Sequence, residues 1–327
     1  MDPAHFFAAS RVLIVAGKGG VGKTTICATL ADAASRAGCS VLIVRLTAGG
    51  NLPRLFGAEP ISTTGTALRA GTVGLGEITG RLLTPDEALL DYLADHGLQR
   101  ITRRLVSTGA LEVVTTAAPG IRDLLVLGRV KQLEVARAAD LIIVDAPAAG
   151  HAVSFLRSPA GLRDAVMAGP IAAQATDVLE MLADPARARV VLVTLPEETP
   201  INELVETAFA VEDEVGVQLG PVVVNGVAPR PAGQMGSVAL EDSARGLGID
   251  PDDDSERALL DAMIEADTFR AAWVDRQRTQ IERLRAQLPL PVITLPARFT
   301  TDLGPGDLAI LTDALCRGID ALEGTIS

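Results

Sequence analysis

Lysine is almost missing from this chain. Of its 29 basic residues only Lys18, Lys23 and Lys131 are lysine; the others are arginine. Aromatic residues are also sparse, at 3%, although 48% of the 327 residues are hydrophobic. A core built from such a chain is aliphatic, and Ala, Val, Leu and Ile suit a parallel sheet covered by helices. Basic charge is in deficit as well, with a formal net charge of −12. That argues against a general nucleic-acid or anionic-membrane binder, whose contacts need a basic surface. It leaves room for a local basic pocket. The three cysteines, Cys27, Cys39 and Cys316, are scattered and form no CxxC. They read as free thiols of a reducing cytosol, and no zinc site is expected. The opening stretch MDPAHFFAAS has an acid at position 2 and no basic segment leading into an apolar one. No signal peptide is expected, nor, without about 18 uninterrupted apolar residues, a transmembrane helix. The expected location is cytoplasmic.

Short apolar runs rich in β-branched residues recur at 11–17, 40–46, 111–117, 140–147, 189–196, 221–226 and 291–296. Each reads as a strand buried on both faces, with helical patterns between most of them. KTTICATLADAASRAG stops at Gly38. TPINELVETAFAVEDEVG offers Thr199 as a cap and Pro200 at the first helical position. Strands alternating with helices predict an α/β fold, a mainly parallel sheet with helices on both faces. The chain, 1–327, is expected to form one domain with helical insertions at about 52–108, 154–186 and 238–288. Asp252 to Asp254 fall at a helix start and read as dipole and cap stabilisers, with a divalent-metal site as the alternative. Residues 228–237 read as a loop.

Two of the scarce lysines stand five positions apart in GKGGVGKTT, residues 17–25. Gly17 and Gly22-Lys23-Thr24 fit GxxxxGK[ST], with a buried strand before and a helix after. Gly17, Lys18, Gly19, Gly20, Val21, Gly22, Lys23, Thr24 and Thr25 therefore form the candidate nucleotide-binding loop. Its backbone N–H groups wrap an anion, and the helix start adds the positive end of its dipole. Lys23 is placed to reach the β- and γ-phosphates, and Thr24 to set its hydroxyl on Mg2+. ATP and Mg2+ are the expected cofactors.

Lys18 is not needed to hold phosphate within one subunit. With it, the loop resembles the deviant Walker A motif, xKGGxGK[ST], of dimeric ATPases such as MinD, ParA and the nitrogenase iron protein. The resemblance implies a dimer in which Lys18 reaches the partner's nucleotide while Lys23 serves its own. Arginine is bulkier, planar and forked, so a drift from lysine to arginine would stall at these positions. VDAPAAGH, residues 144–151, resembles the DTAPTGH switch motif of the arsenite-pump ATPases and their relatives that target tail-anchored membrane proteins. Asp145, at the end of a buried strand and before a small-residue loop, is the candidate second-sphere Mg2+ carboxylate. Gly150 and His151 keep the spacing, with Ala149 in place of Thr. APGIRDLL (118–125) resembles that branch's PG-x-D-E stretch, with Arg122 for Asp and Asp123 for Glu. VVVNG resembles the strand-ending asparagine that recognises adenine, the role implied for Asn225, whose amide both donates and accepts. TLPARF (294–299) resembles the loop that closes over the base, implying contacts from Pro296, Ala297 and Arg298. The catalytic set implied is Lys18, Lys23 and Asp145; the metal set is Thr24 and Asp145. The resemblance runs from about residue 11 to 320.

The chain also departs from that pattern. The family's TDPAHNL carries an aspartate that orients the attacking water. Here the stretch is LTAGGNL, and Asn51-Leu52 set the register so that Thr47 stands in the aspartate's place. Threonine is not a carboxylate base at neutral pH. Phosphoryl transfer depends mostly on positioning and charge neutralisation, so slow or partner-dependent hydrolysis is expected. The arsenite-binding cysteines and the zinc-binding CxxC are absent. Five methionines, with only Met167 and Met181 in the 154–186 region, make a poor thioether-rich client groove. The expected function is that of a dimeric ATPase acting as a nucleotide-driven switch on a protein or membrane-associated client. It would work as a homodimer or as a heterodimer with a paralogue, without a nucleic-acid partner. The alternative is a nucleotide-sensing scaffold with little catalysis. A DNA-partitioning ATPase and a small-molecule kinase or ligase fit less well.

Overall fold

The computed structural model describes residues 1–95, 97, 120–166, 168–229, 237–246 and 253–322. Helix α1 (Pro3–Ala8) leads to β1 (Val12–Gly17), α2 (Lys23–Arg36), β2 (Val41–Arg45) and α3 (Leu52–Phe56). Then come β3 (Thr66–Arg69), β4 (Ile78–Leu82), α4 (Pro85–Asp95), α5 (Ile121–Val135), β5 (Leu141–Ala148) and α6 (Ala149–Ala165). The order continues with α7 (Pro170–Ala183), β6 (Ala188–Thr194), α8 (Glu198–Ala210) and β7 (Leu219–Val227). It ends with α9 (Ser237–Gly246), α10 (Asp254–Gln287), β8 (Val292–Pro296) and α11 (Pro305–Asp320).

Among the described residues the strands form one sheet in the order β3-β4-β2-β5-β1-β6-β7-β8. Every pair is parallel except β3 with β4. Alternation along the central strands divides them between two cores. Val12, Ile14, Val44, Val144 and Leu192 pack with residues of α4 to α8 and the last turns of α10. Leu13, Val15, Ile43, Ile143 and Val193 pack with α1, α2, α3 and α11. This double coverage is why β1 and β2 read as unbroken apolar runs. The core is aliphatic, as the composition predicts. Two charged groups are buried within it through paired arginines: Glu134 with Arg11 and Arg187, and Asp32 with Arg36 and Arg69.

The α/β expectation holds, with corrections in detail. Residues 52–108 are not a purely helical insertion, because β3 and β4 lie there and extend the sheet. Both strands are short and only partly buried, so they lack the apolar run that marks the central strands. β8 is not buried on both faces. It is an edge strand whose exposure alternates, with Ile293 and Leu295 turned to the core. Thr199 is not a cap. α8 starts at Glu198 with Glu197 before it, so Pro200 falls in the first turn, where no N–H is needed. At α10 the cap reading fits Asp253, whose carboxylate accepts from the Glu256 N–H at 3.1 Å. The strand expected at 111–117, and most of the loop at 228–237, lie outside the described residues.

Candidate nucleotide site

The carboxyl ends of β1, β2, β5, β7 and β8 lie along one edge of the parallel sheet, where ligands bind in open α/β folds. α2 begins at Lys23, directly after the glycine-rich loop. No side chain caps it, so its first N–H groups remain for an anion. Gly22 takes the cap position at φ 93°, a left-handed conformation that L side chains rarely adopt. A Cβ there would also stand 2.4 Å from Asn225 Nδ2. That amide, near the end of β7, donates to Val21 O at 3.0 Å and so braces the loop from across the sheet. The same side chain still carries a second N–H and an acceptor oxygen.

Lys23 Nζ folds back onto its own loop, donating to Gly17 O at 3.0 Å and Lys18 O at 3.1 Å. Burial pushes its pKa below the ordinary lysine value, while the nearby Asp145 and Cys27 act the other way. Thr24 Oγ1 donates to Asp145 Oδ2 at 2.8 Å. Asp145 stands where β5 slips against β1: Val15 pairs with Asp145, yet Gly17 pairs with Ala148. β5 then runs straight into α6 at Ala149. The small-residue loop expected after Asp145 is therefore a strand end and a helix start. His151 sits exposed in the first turn of α6. It is close enough to Asp123 to oppose, together with Arg122, the upward push that burial gives that carboxyl.

A cavity of about 410 Å³ is lined by Thr25, Asn225, Pro296, Ala297 and Arg298, among others. Five predicted contact residues from three distant stretches thus meet around one space. The Ala297 N–H donates to Val227 O at 2.8 Å, tying the end of β8 to β7. Arg298 Nε donates to Asp307 Oδ1 at 2.9 Å. That bond, with one from the Gly304 N–H, holds Asp307 below the usual carboxylate range. Lys18 Nζ meets Glu203 Oε1 of α8 in its own chain at 2.5 Å, and both side chains are partly exposed. Thr47 lies between β2 and α3 on the wall of a second cavity of about 470 Å³.

One residue escaped the sequence reading. Arg45 ends β2, is almost fully buried, and places Nε 3.5 Å from the same Asp145 oxygen that Thr24 contacts. Its signal was a lone charge closing a wholly apolar strand. A single hydroxyl and a single carboxylate at Thr24 and Asp145 suit Mg2+, which takes few protein ligands and completes its shell with water and phosphate oxygens. Lys23 and Arg45 both place positive charge beside Asp145.

A strand, a glycine-rich loop cradled at a helix start, and a hydroxyl–carboxylate pair on the neighbouring strand define a P-loop nucleotide-binding protein. Residues 10–174, half of the chain, match the anion-transporting ATPase family model (ArsA_ATPase). The chain belongs to this family and is an ATPase. It is 29% identical to the ATPase BagA of Mycobacterium tuberculosis over 94% of this chain and 93% of that protein. It is 27% identical to the arsenical pump-driving ATPase of Acidiphilium multivorum, over 66% of this chain and 39% of that one. It is 28% identical to ATPase get3 of Schizosaccharomyces japonicus, over 47% and 45% respectively. Among the described residues no helix is long and apolar enough to cross a membrane.

Proposed function

We propose that the chain is a dimeric, ATP-driven switch in which two protomers close on nucleotide and reopen after hydrolysis or release. The observation that carries this reading is the Thr24–Asp145 contact at the start of α2, beside the folded-back Lys23. In the proposed roles the loop amides of residues 17–25 and Lys23 bind the phosphates. Thr24 and Asp145 hold Mg2+, which when bound neutralises charge on the β- and γ-phosphates. Asn225 and the 296–298 backbone receive adenine. Lys18 leaves Glu203 and reaches the partner's phosphates; its flexible stem and single-point charge allow that exchange. Thr47 orients the attacking water without acting as its base, so turnover is slow or depends on a partner.

The partner is a second copy or a paralogue, and the client is a protein or a membrane-associated complex on the cytoplasmic side. A membrane-associated client has a parallel in the relative named for driving an arsenical pump. Sedimentation velocity with a slowly hydrolysed ATP analogue and Mg2+ tests the dimer. The wild-type chain, alone or mixed with a paralogue, doubles in mass, and Lys18→Ala does not. A monomer under all these conditions refutes the switch. A second reading, a nucleotide-sensing scaffold with little turnover, draws on Thr47. Tight ATP binding without phosphate release, with or without a partner, favours it.

A further inference from the structure

Arg45 is a buried charged group beside Asp145 to which the roles above give nothing to do. It faces Asp145 in register across β2 and β5, and its side chain is 8% exposed. A buried guanidinium carries five N–H groups and is costly unless they find partners. Among the described residues one donates, to Gly49 O at 2.6 Å. Nε, 3.5 Å from Asp145 Oδ2, makes no hydrogen bond at all. The ion pair is therefore incomplete, and Asp145 gives its shorter contact to Thr24.

The loop is shaped to admit this fork. Gly50 has φ 86°, and a Cβ there would stand 2.6 Å from one terminal nitrogen of Arg45 and 3.0 Å from the other. The guanidinium thus fills the space between Asp145 and the turn that follows Thr47, on the wall of the 470 Å³ cavity. Through Asp145 Oδ2 it is one atom removed from the hydroxyl assigned to the metal. Were Mg2+ held at Asp145, that carboxylate would be shared and the guanidinium, already without a hydrogen bond at Nε, would need a further counter-charge. A triphosphate at the loop would supply it.

We propose that Arg45 is a phosphate ligand in cis: Asp145 and Gly49 hold it in the nucleotide-free chain, and it takes the terminal phosphate of bound ATP. This rests on the reading of Lys23, Thr24 and Asp145 as the phosphate and metal site. The planar fork matches two phosphate oxygens in a way that lysine cannot. It gives the turn that lacks a carboxylate at position 47 a cation that distinguishes ATP from ADP.

Isothermal titration calorimetry with ATP and with ADP, each with Mg2+, tests this in the wild type, Arg45→Gln and Arg45→Lys. Arg45→Gln weakens ATP by about 10- to 100-fold, the span of hydrogen bonds to charged groups. ADP changes by no more than about twofold. Arg45→Lys recovers part of the ATP loss, because it keeps charge without the fork. Equal losses for ATP and ADP in a folded variant would show a structural role and overturn the proposal, as would unchanged ATP affinity. If Arg45→Gln does not fold, the lysine variant decides by the same comparison. A wild-type chain that binds neither nucleotide removes the underlying site, and this role with it. A wild-type chain that binds both, with variants that do not separate them, removes Arg45 alone.

Discussion

Replacing Gly22 by alanine puts two structural costs on one atom. The first is backbone strain, about 1–2 kcal/mol for an L residue in the left-handed region, which Gly22 occupies at φ 93°. The second is a collision, because the new Cβ would meet Asn225 Nδ2 at 2.4 Å. Displacing that amide breaks its 3.0 Å bond to Val21 O, worth about 1 kcal/mol. The sum is about 2–3 kcal/mol. Unfolding entropy of about 2.1 cal/mol/K per residue converts this, over the whole chain, to a fall in Tm of about 3–4 °C. The two costs separate in a double-mutant cycle. In an Asn225→Ala background no amide remains to collide with, so Gly22→Ala costs only the strain. The double variant is then more stable than additivity predicts by about 1 kcal/mol. Thermal unfolding of the four proteins without nucleotide measures this, and ATP affinity falls in Gly22→Ala because the loop moves. Additivity within about 0.3 kcal/mol, or an unchanged Tm in Gly22→Ala, would refute the idea that Asn225 and Gly22 hold the loop together.

Thr47→Asp raises ATP turnover about tenfold or more in a phosphate-release assay, since a positioned carboxylate contributes at least that much as a general base; no rise means that this position does not face the water. Wild-type turnover for the isolated chain stays below about 1 s⁻¹, and faster hydrolysis contradicts the role given to Thr47. Glu134, with 1% side-chain exposure, lies between Arg11 at 3.1 Å and Arg187 at 2.7 Å. Glu134→Gln removes the buried charge, while Arg11 and Arg187, 43% and 20% exposed, keep access to water, so the cost is that of charged hydrogen bonds, about 1.5–3 kcal/mol. The expected outcome is a fall in Tm of about 2–4 °C with ATP affinity intact, and a shift under about 1 °C sinks it. Asp307 titrates below the ordinary 3.8 because Arg298 and the Gly304 N–H bind its charged form. Its contribution is present above 3.8 and disappears as pH falls through the lowered value. Carboxyl chemical shifts followed by NMR in the wild type and Arg298→Gln check this, with a wild-type midpoint at or above 3.8 as the contrary result.

The amino-acid pattern alone determined the parallel α/β architecture and the candidate phosphate loop, for a local reason. A strand buried on both faces must be apolar throughout, so 11–17, 40–46 and 140–147 announce themselves within a few residues. A loop that wraps an anion must carry glycines at fixed spacing before a helix, and 17–25 contains all of it. β3 and β4 stayed hidden because a short, half-buried strand needs no apolar run and is recognised only by the neighbour it pairs with. The cap of α8 shifted by two residues because proline is tolerated anywhere in the first turn. Tertiary structure alone decided what the candidate site's side chains touch. Asn225 braces Val21, Lys18 meets Glu203, and Arg45 shares Asp145 with Thr24 because β5 lies between β1 and β2, with Asp145 in register opposite Val15 and Arg45. Each of these contacts joins residues about 100 or more positions apart. No spacing within the sequence encodes them; they follow from which strand lies beside which, and in what register.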